Sequence, residues 1–143
     1  MKAMYTAEAT AVGGRQGHVL SDDGVLDIDT VTPKSMGGPG GDGTNPEQLF
    51  AAGYAACFLS AMQFIGGQQK LDLKGASVTG KVSIGPNESG PGFMLAVRHA
   101  VDVPSLDQAA AEALVEQAHA VCPYSNATRG NVQVDFDVQG AAK

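Results

Sequence analysis

The chain predicts an α+β fold in which antiparallel sheets pack on two main helices. Three observations carry that prediction. Two stretches place apolar residues at helical spacing behind N-terminal caps, several shorter ones alternate apolar with polar residues, and the order runs strands, helix, strands, helix, strand. With 143 residues, a single domain over residues 1–143 is expected, long enough for its own core. Hydrophobic residues at 43% and charged residues at 17% fit a globular chain, neither disordered nor fibrous.

Residues 3–12 alternate loosely and predict an opening strand, broken at Gly13-Gly14. Gly17–Ser21 and Val25–Val31 follow, flanking Asp22-Asp23-Gly24, where Asp-Gly favours a tight antiparallel turn; a three-stranded meander results. From Thr32 to Thr44 the composition becomes that of a loop rich in Gly and Pro. This loop is no phosphate cradle, because no Gly-Lys-Ser/Thr leads it into a helix.

Asn45 as N-cap, Pro46 at the first helical position and Gln48 as a capping-box partner start the first helix, which weakens or ends near Gly66-Gly67. Phe50, Tyr54, Cys57, Ala61 and Phe64 form its stripe, so Cys57 is expected to face packed protein. Small residues on the other faces suit a central helix. Strands are expected at Val78–Ile84 and Phe93–Val103. Ser105 with Gln108 makes a second capping box, and Leu106, Ala110, Ala113, Leu114, Ala118 and Val121 stripe the second helix. Val132, Val134, Phe136 and Val138 point inward from a last strand.

A net charge of −6 opposes binding to phosphate backbones, so no nucleic-acid partner is expected. Residues 1–8 lack an apolar signal core, and no later stretch is expected to span a bilayer; the expectation is a cytoplasmic protein with no membrane partner.

Two cysteines occur, Cys57 and Cys122, both in helical settings that suggest a redox pair. In a reducing compartment such a pair is more often catalytic or redox-sensing than structural, the competing reading being two unrelated buried thiols. The reactive form is the thiolate, and a free Cys with a pKa of about 8.5 is mostly protonated at neutral pH. Cys57 lies about three turns inside its helix, beyond the reach of the helix N-terminus, so a cationic side chain is required.

Arg15, flanked by glycines that let the backbone bend, is the best candidate, with Glu47 as the carboxylate that offsets its burial. Both also have plain readings, Arg15 as a solvated loop residue and Glu47 as a helix-dipole partner. Glu47 and Cys57 are about 15 Å apart along one helix, which favours a composite site with a second subunit. Cys122, followed by Pro123, reads as the cap of a short further helix whose amides would favour its thiolate and suit it as a resolving thiol or as a good leaving group in later exchange.

Three His and two Cys without Cys-x-x-Cys are a poor zinc set, so no metal is expected; His119 reads as a helix-closing residue, His18 and His99 as strand residues. Phe50, Tyr54, Phe58 and Tyr124 would make apolar walls favouring an apolar over a small polar substrate, or they are simply core.

Asn45-Pro46-Glu47-Gln48 with the run to Cys57-Phe58, the segment Ala118–Asn131 around Cys122, and Gly14-Arg15-Gln16-Gly17 together resemble the organic hydroperoxide resistance (Ohr) branch of the Ohr/OsmC family. The resemblance spans nearly the whole chain. It implies an intertwined homodimer of the OsmC-like type with active sites at the subunit interface. It further implies a peroxidase in which Cys57 attacks the peroxide and becomes a sulfenic acid, and Cys122 condenses with it to a disulfide. Arg15 and Glu47 match the residues that orient and activate the peroxidatic cysteine. No bound cofactor is implied; the reductant is an external dithiol, in this family a lipoylated protein. The broader OsmC branch, and a redox-sensing or apolar-ligand-binding module, are the alternatives.

Overall fold

The computed structural model describes residues 1–142, which form two compact units, one from Met1 to Leu49 and one from Phe50 onward. In the first unit, β1 (Ala9–Val12), β2 (Gly17–Ser21) and β3 (Asp27–Thr30) form an antiparallel sheet in the order β1-β2-β3. The meander is as expected, but its first strand is shorter. β1 pairs only from Ala9, opposite Ser21, because β2 gives way there to its turn and residues farther back have no strand to pair with.

The turn itself is wider than an Asp-Gly pair suggests. The Ser21 N–H donates to the Leu26 carbonyl, and the Asp23 carboxylate accepts from Ser21 Oγ and the Val25 N–H, so four residues make the connection. Both faces of this sheet are largely open: Val12, Leu20, Leu26 and Ile28 are exposed.

α1 (Pro46–Gln69) is longer than expected, continuing through Gly66-Gly67. Gly66 is buried and seats Leu73, whose Cδ1 would lie 2.7 Å from a Cβ at that position. The helix stops at Lys70, left-handed at φ 57°, with Leu71 N–H donating to Gly66 O and Lys70 N–H to Gly67 O. This double closure normally places glycine where Lys70 stands. Lys70→Gly is therefore expected to raise stability by about 1 kcal/mol, read as a higher urea midpoint at unchanged slope.

By length and composition α1 is apolar enough to cross a bilayer, with a mean hydropathy of 1.5 over 18 residues, against the expectation that no stretch would be. Alanine and glycine raise the hydropathy without bulk. From Tyr54 onward the helix buries Tyr54, Phe58, Ala61, Met62 and Ile65 in the core of the second unit. That face is rotated from the expected stripe: Phe64 is 60% exposed and Cys57 lies on the flank, half-buried.

The second unit adds β4 (Ser77–Pro86), β5 (Phe93–Asp102), α2 (Gln108–Val121), α3 (Pro123–Thr128) and β6 (Gln133–Gln139), with sheet order β4-β5-β6. β4 and β5 pair antiparallel, but β5 and β6 pair parallel, a correction to a wholly antiparallel sheet. The chain between them passes through α2 and α3, and a crossover of that kind returns the strand in the same direction. α2 is capped by Asp107, whose Oδ1 accepts from the Ala110 N–H, rather than by Ser105, whose hydroxyl donates to Asp72 O. One face of the sheet supplies Val97, His99 and Val101 to the core, where α2 contributes Ala111, Leu114, Val115 and Ala118.

His99 is fully buried, stacked on Phe58 at 5.4 Å and edge-on to Tyr54 at 4.4 Å, with neither ring nitrogen hydrogen-bonded. Burial, aided by the nearby His119, drops its pKa from 6.5 to about 4. On acidification the unfolded chain takes up this proton first, so stability falls between pH 6.5 and about 4. The loss is at most about 2 kcal/mol by pH 5. His18, exposed on β2, acts with the opposite sign: its hydrogen bond to Asp29, opposed by desolvation and helped by Asp27, raises its pKa. That contribution is full below pH 6.5 and is lost as pH rises through the raised value. His99→Phe is expected to flatten the acid-side fall in urea midpoint between pH 7.5 and 5.

Candidate active site

In the first unit the turn Gly13–Gln16 presents Arg15. Gly13 and Gly14 both take positive φ, 77° and 61°, and the Gln16 N–H closes the turn on Gly13 O at 3.1 Å. The buried Thr30 hydroxyl fixes it to the sheet, donating to Gly14 O at 2.7 Å and accepting from the Gly17 N–H at 3.0 Å. At the start of α1, Asn45 Oδ1 accepts from the Gln48 N–H at 2.9 Å, as an N-cap should. The Gln48 side chain does not reach back to Asn45; its Oε1 accepts from Thr44 Oγ1 instead.

These two supports bring Arg15 and Glu47 together. The guanidinium donates twice to the carboxylate, Nη1 to Oε2 at 2.8 Å and Nη2 to Oε1 at 2.7 Å. Hydrogen bonding to Arg15 holds the Glu47 carboxyl below its ordinary value against partial burial. The bidentate geometry fixes the guanidinium plane as well as its charge.

In the second unit the structure brings the two sulfurs together. Cys57 on α1 and Cys122 at the α2–α3 corner are both free, and the Cys122 thiol donates to Cys57 Sγ at 3.7 Å. An S–S bond is about 2.05 Å long, so a small local adjustment joins them. Their access differs. Cys122 is fully buried, whereas Cys57 lines an open pocket of about 300 Å³ with Ser60, Ala61, Phe64, Val121 and Pro123.

Burial pushes the Cys57 thiol up, and the adjacent Cys122 adds to the rise; the Tyr124 backbone N–H pulls it down. Cys122 is the N-cap of α3, with Pro123 next, as the sequence suggested. Its sulfur, however, takes no capping hydrogen bond from α3, and the amide that acts on a sulfur serves Cys57.

The expected aromatic walls are only partly found. Tyr54 and Phe58 are fully buried core. Phe50 and Tyr124 line a separate apolar groove of about 400 Å³ with Leu95, Ala127, Thr128, Asn131 and Val132. Phe64 and Val121, at the mouth of the Cys57 pocket, were read only as helix-stripe residues. Their one sequence signal was position: Phe64 is two turns beyond Cys57, and Val121 adjoins Cys122. Among the described residues no group of three or more His, Cys, Asp and Glu is placed to hold a metal.

The family model for OsmC-like proteins matches residues 38–137. The organic hydroperoxide resistance protein of Xanthomonas axonopodis pv. citri is 54% identical over 134 residues, 93% of each chain. The crystal structure of the organic hydroperoxide resistance protein OhrB of Bacillus subtilis superposes with a TM-score of 0.87 at 47% identity, covering 96% of this chain and 100% of that one. The organic hydroperoxide resistance protein OsmC of Legionella pneumophila gives a TM-score of 0.91 at 51% identity, over 96% and 99%. With two cysteines in place, an arginine turn before the first helix and likeness over nearly its whole length, the chain belongs to the organic hydroperoxide resistance branch of the Ohr/OsmC family.

Proposed function

We propose that the protein is a thiol-dependent peroxidase that reduces organic hydroperoxides to alcohols. The observation that carries this reading is the 3.7 Å separation of one accessible and one buried sulfur. The Cys57 thiolate attacks the terminal peroxide oxygen, the O–O bond breaks, and the alkoxide takes a proton to leave as alcohol. Cys57 is then a sulfenic acid. Cys122 attacks it, an S–S bond forms and water leaves. An external dithiol, of the lipoylated-protein type, returns the pair to two thiols through a mixed disulfide.

Because burial raises the Cys57 pKa, its anion needs a cation. Arg15, oriented by Glu47, is assigned that part on the strength of their bidentate pair and of the family resemblance. The active protein is proposed to be a homodimer with a composite site, since the first sheet leaves Val12, Leu20 and Ile28 exposed and only a third of the apolar α1 window is buried in the single chain. The apolar mouth of the Cys57 pocket favours alkyl or fatty-acyl hydroperoxides, through burial of about 0.8 kcal/mol per methylene. A cytoplasmic location is part of the proposal, because recycling needs a reducing compartment.

Steady-state consumption of cumene hydroperoxide in the presence of dihydrolipoamide tests the reading. An enzyme consumes many equivalents. A sensor consumes one and stops, which would overturn it.

A further inference from the structure

The two helical segments that carry the sulfurs are tied by a second, purely polar contact that the peroxidase chemistry does not use. The Tyr54 hydroxyl hydrogen-bonds Ser125 Oγ at 2.9 Å and Thr128 Oγ1 at 3.2 Å. Ser125 Oγ also meets His119 Nδ1 at 2.9 Å, and Thr128 Oγ1 donates to Tyr124 O at 2.9 Å. Tyr54 and Ser125 are fully buried and Thr128 nearly so.

The spacing gives this cluster its meaning. Tyr54 precedes Cys57 by three residues on α1, and Ser125 follows Cys122 by three residues at the α2–α3 corner. The hydroxyl contact and the sulfur contact are thus two rungs between the same two segments, about one turn apart. Gly53 strengthens the seat: the Tyr124 hydroxyl lies 3.0 Å from where its Cβ would be, so the Tyr124 ring packs directly on the α1 backbone. A buried hydroxyl that loses its partner costs free energy, so these directional contacts fix the register of the two segments.

We infer that Tyr54, Ser125 and Thr128 are positioning residues that hold Cys122 within closing distance of Cys57. None of their hydrogen bonds goes to a sulfur. Their effect is on the second step, in which Cys122 attacks the Cys57 sulfenic acid and water leaves, and this inference rests on the redox-pair reading above. Misplacement by about 1 Å costs up to a hundredfold in rate, so loss of a single hydroxyl is expected to slow closure by about tenfold.

The test gives the reduced, full-length protein one equivalent of cumene hydroperoxide in the presence of dimedone, which captures sulfenic acid in competition with Cys122. The parent is compared with Tyr54→Phe, Ser125→Ala, Thr128→Val and Thr128→Ser, with circular dichroism and thermal midpoints confirming the fold. The expected result is that the first three shift product from disulfide toward the dimedone adduct by about tenfold, while the rate of peroxide loss stays within about twofold of the parent. Thr128→Ser, which keeps the hydroxyl, should partition as the parent does; a merely structural role would not separate it from Thr128→Val in this way. Parent-like partitioning in both Ser125→Ala and Thr128→Val overturns the inference, and because Thr128→Val is nearly isosteric it carries the test if Tyr54→Phe does not fold. A parent protein that forms no disulfide at all overturns the redox-pair reading itself, and the two failures are distinct.

Discussion

Replacing Cys57 with serine is expected to abolish hydroperoxide turnover, and replacing Cys122 with serine to leave the first attack intact while blocking the return to the dithiol state. The asymmetry follows from access. Cys57 lines the open pocket and Cys122 is fully buried, so peroxide meets only the first sulfur. Serine cannot supply the thiolate nucleophile, and loss of a catalytic nucleophile typically leaves only background rate.

In Cys122→Ser the sulfenic acid on Cys57 has no neighbouring thiol to condense with, so one equivalent of peroxide is consumed and further peroxide drives Cys57 to sulfinic acid. Stopped-flow peroxide loss and intact-mass spectrometry read the two steps separately. If Cys122→Ser also lost the first attack, or Cys57→Ser kept turnover with dihydrolipoamide, the assignment of roles would be wrong.

Arg15→Ala is expected to slow the first attack by about a hundredfold at pH 7, the typical loss when one preorganised charged or hydrogen-bonding group leaves a reaction centre. The pH profile gives the sign. Burial raises the Cys57 pKa, so without a cation the thiol is protonated at neutral pH and the rate climbs as pH rises through that raised value. On the role proposed for Arg15, the parent completes the climb at lower pH.

Arg15→Lys restores the charge but not the two-pronged bond to Glu47, and is expected to fall between parent and alanine variant. Glu47→Gln keeps the arginine and loses its orientation, with a smaller loss. An Arg15→Ala protein with the parent's rate and pH profile would show that the bidentate pair serves only the fold.

Much of this was legible in the chain. The caps at Asn45 and Pro46, the alternation in β4 to β6 and the position of Cys122 before Pro123 rest on local backbone preference, which each short segment expresses by itself. Other features were not. Residues 3–8 have a strand's alternation but lie outside the β1–β2 ladder, since pairing depends on where β2 ends; just beyond it Glu8 O accepts a bond from the Asp22 N–H. The buried stripe of α1 is displaced from the one its apolar residues suggest, because a helix rich in alanine has no single apolar face and its neighbours choose one. The parallel pairing of β6 depends on the path of the crossover and has no signature in the strand's own residues.

Residue types, their spacing and the likeness to a known family single out Cys57, Cys122, Arg15 and Glu47 as the candidates for the proposed chemistry, because thiol, guanidinium and carboxylate are the groups such chemistry needs. Only the folded chain decided that the thiols lie 3.7 Å apart with one open and one closed to solvent, and that a hydroxyl cluster of Tyr54, Ser125 and Thr128 runs beside them. Those are distances between residues more than sixty positions apart, and packing, which sets them, is a property of the whole core rather than of any segment.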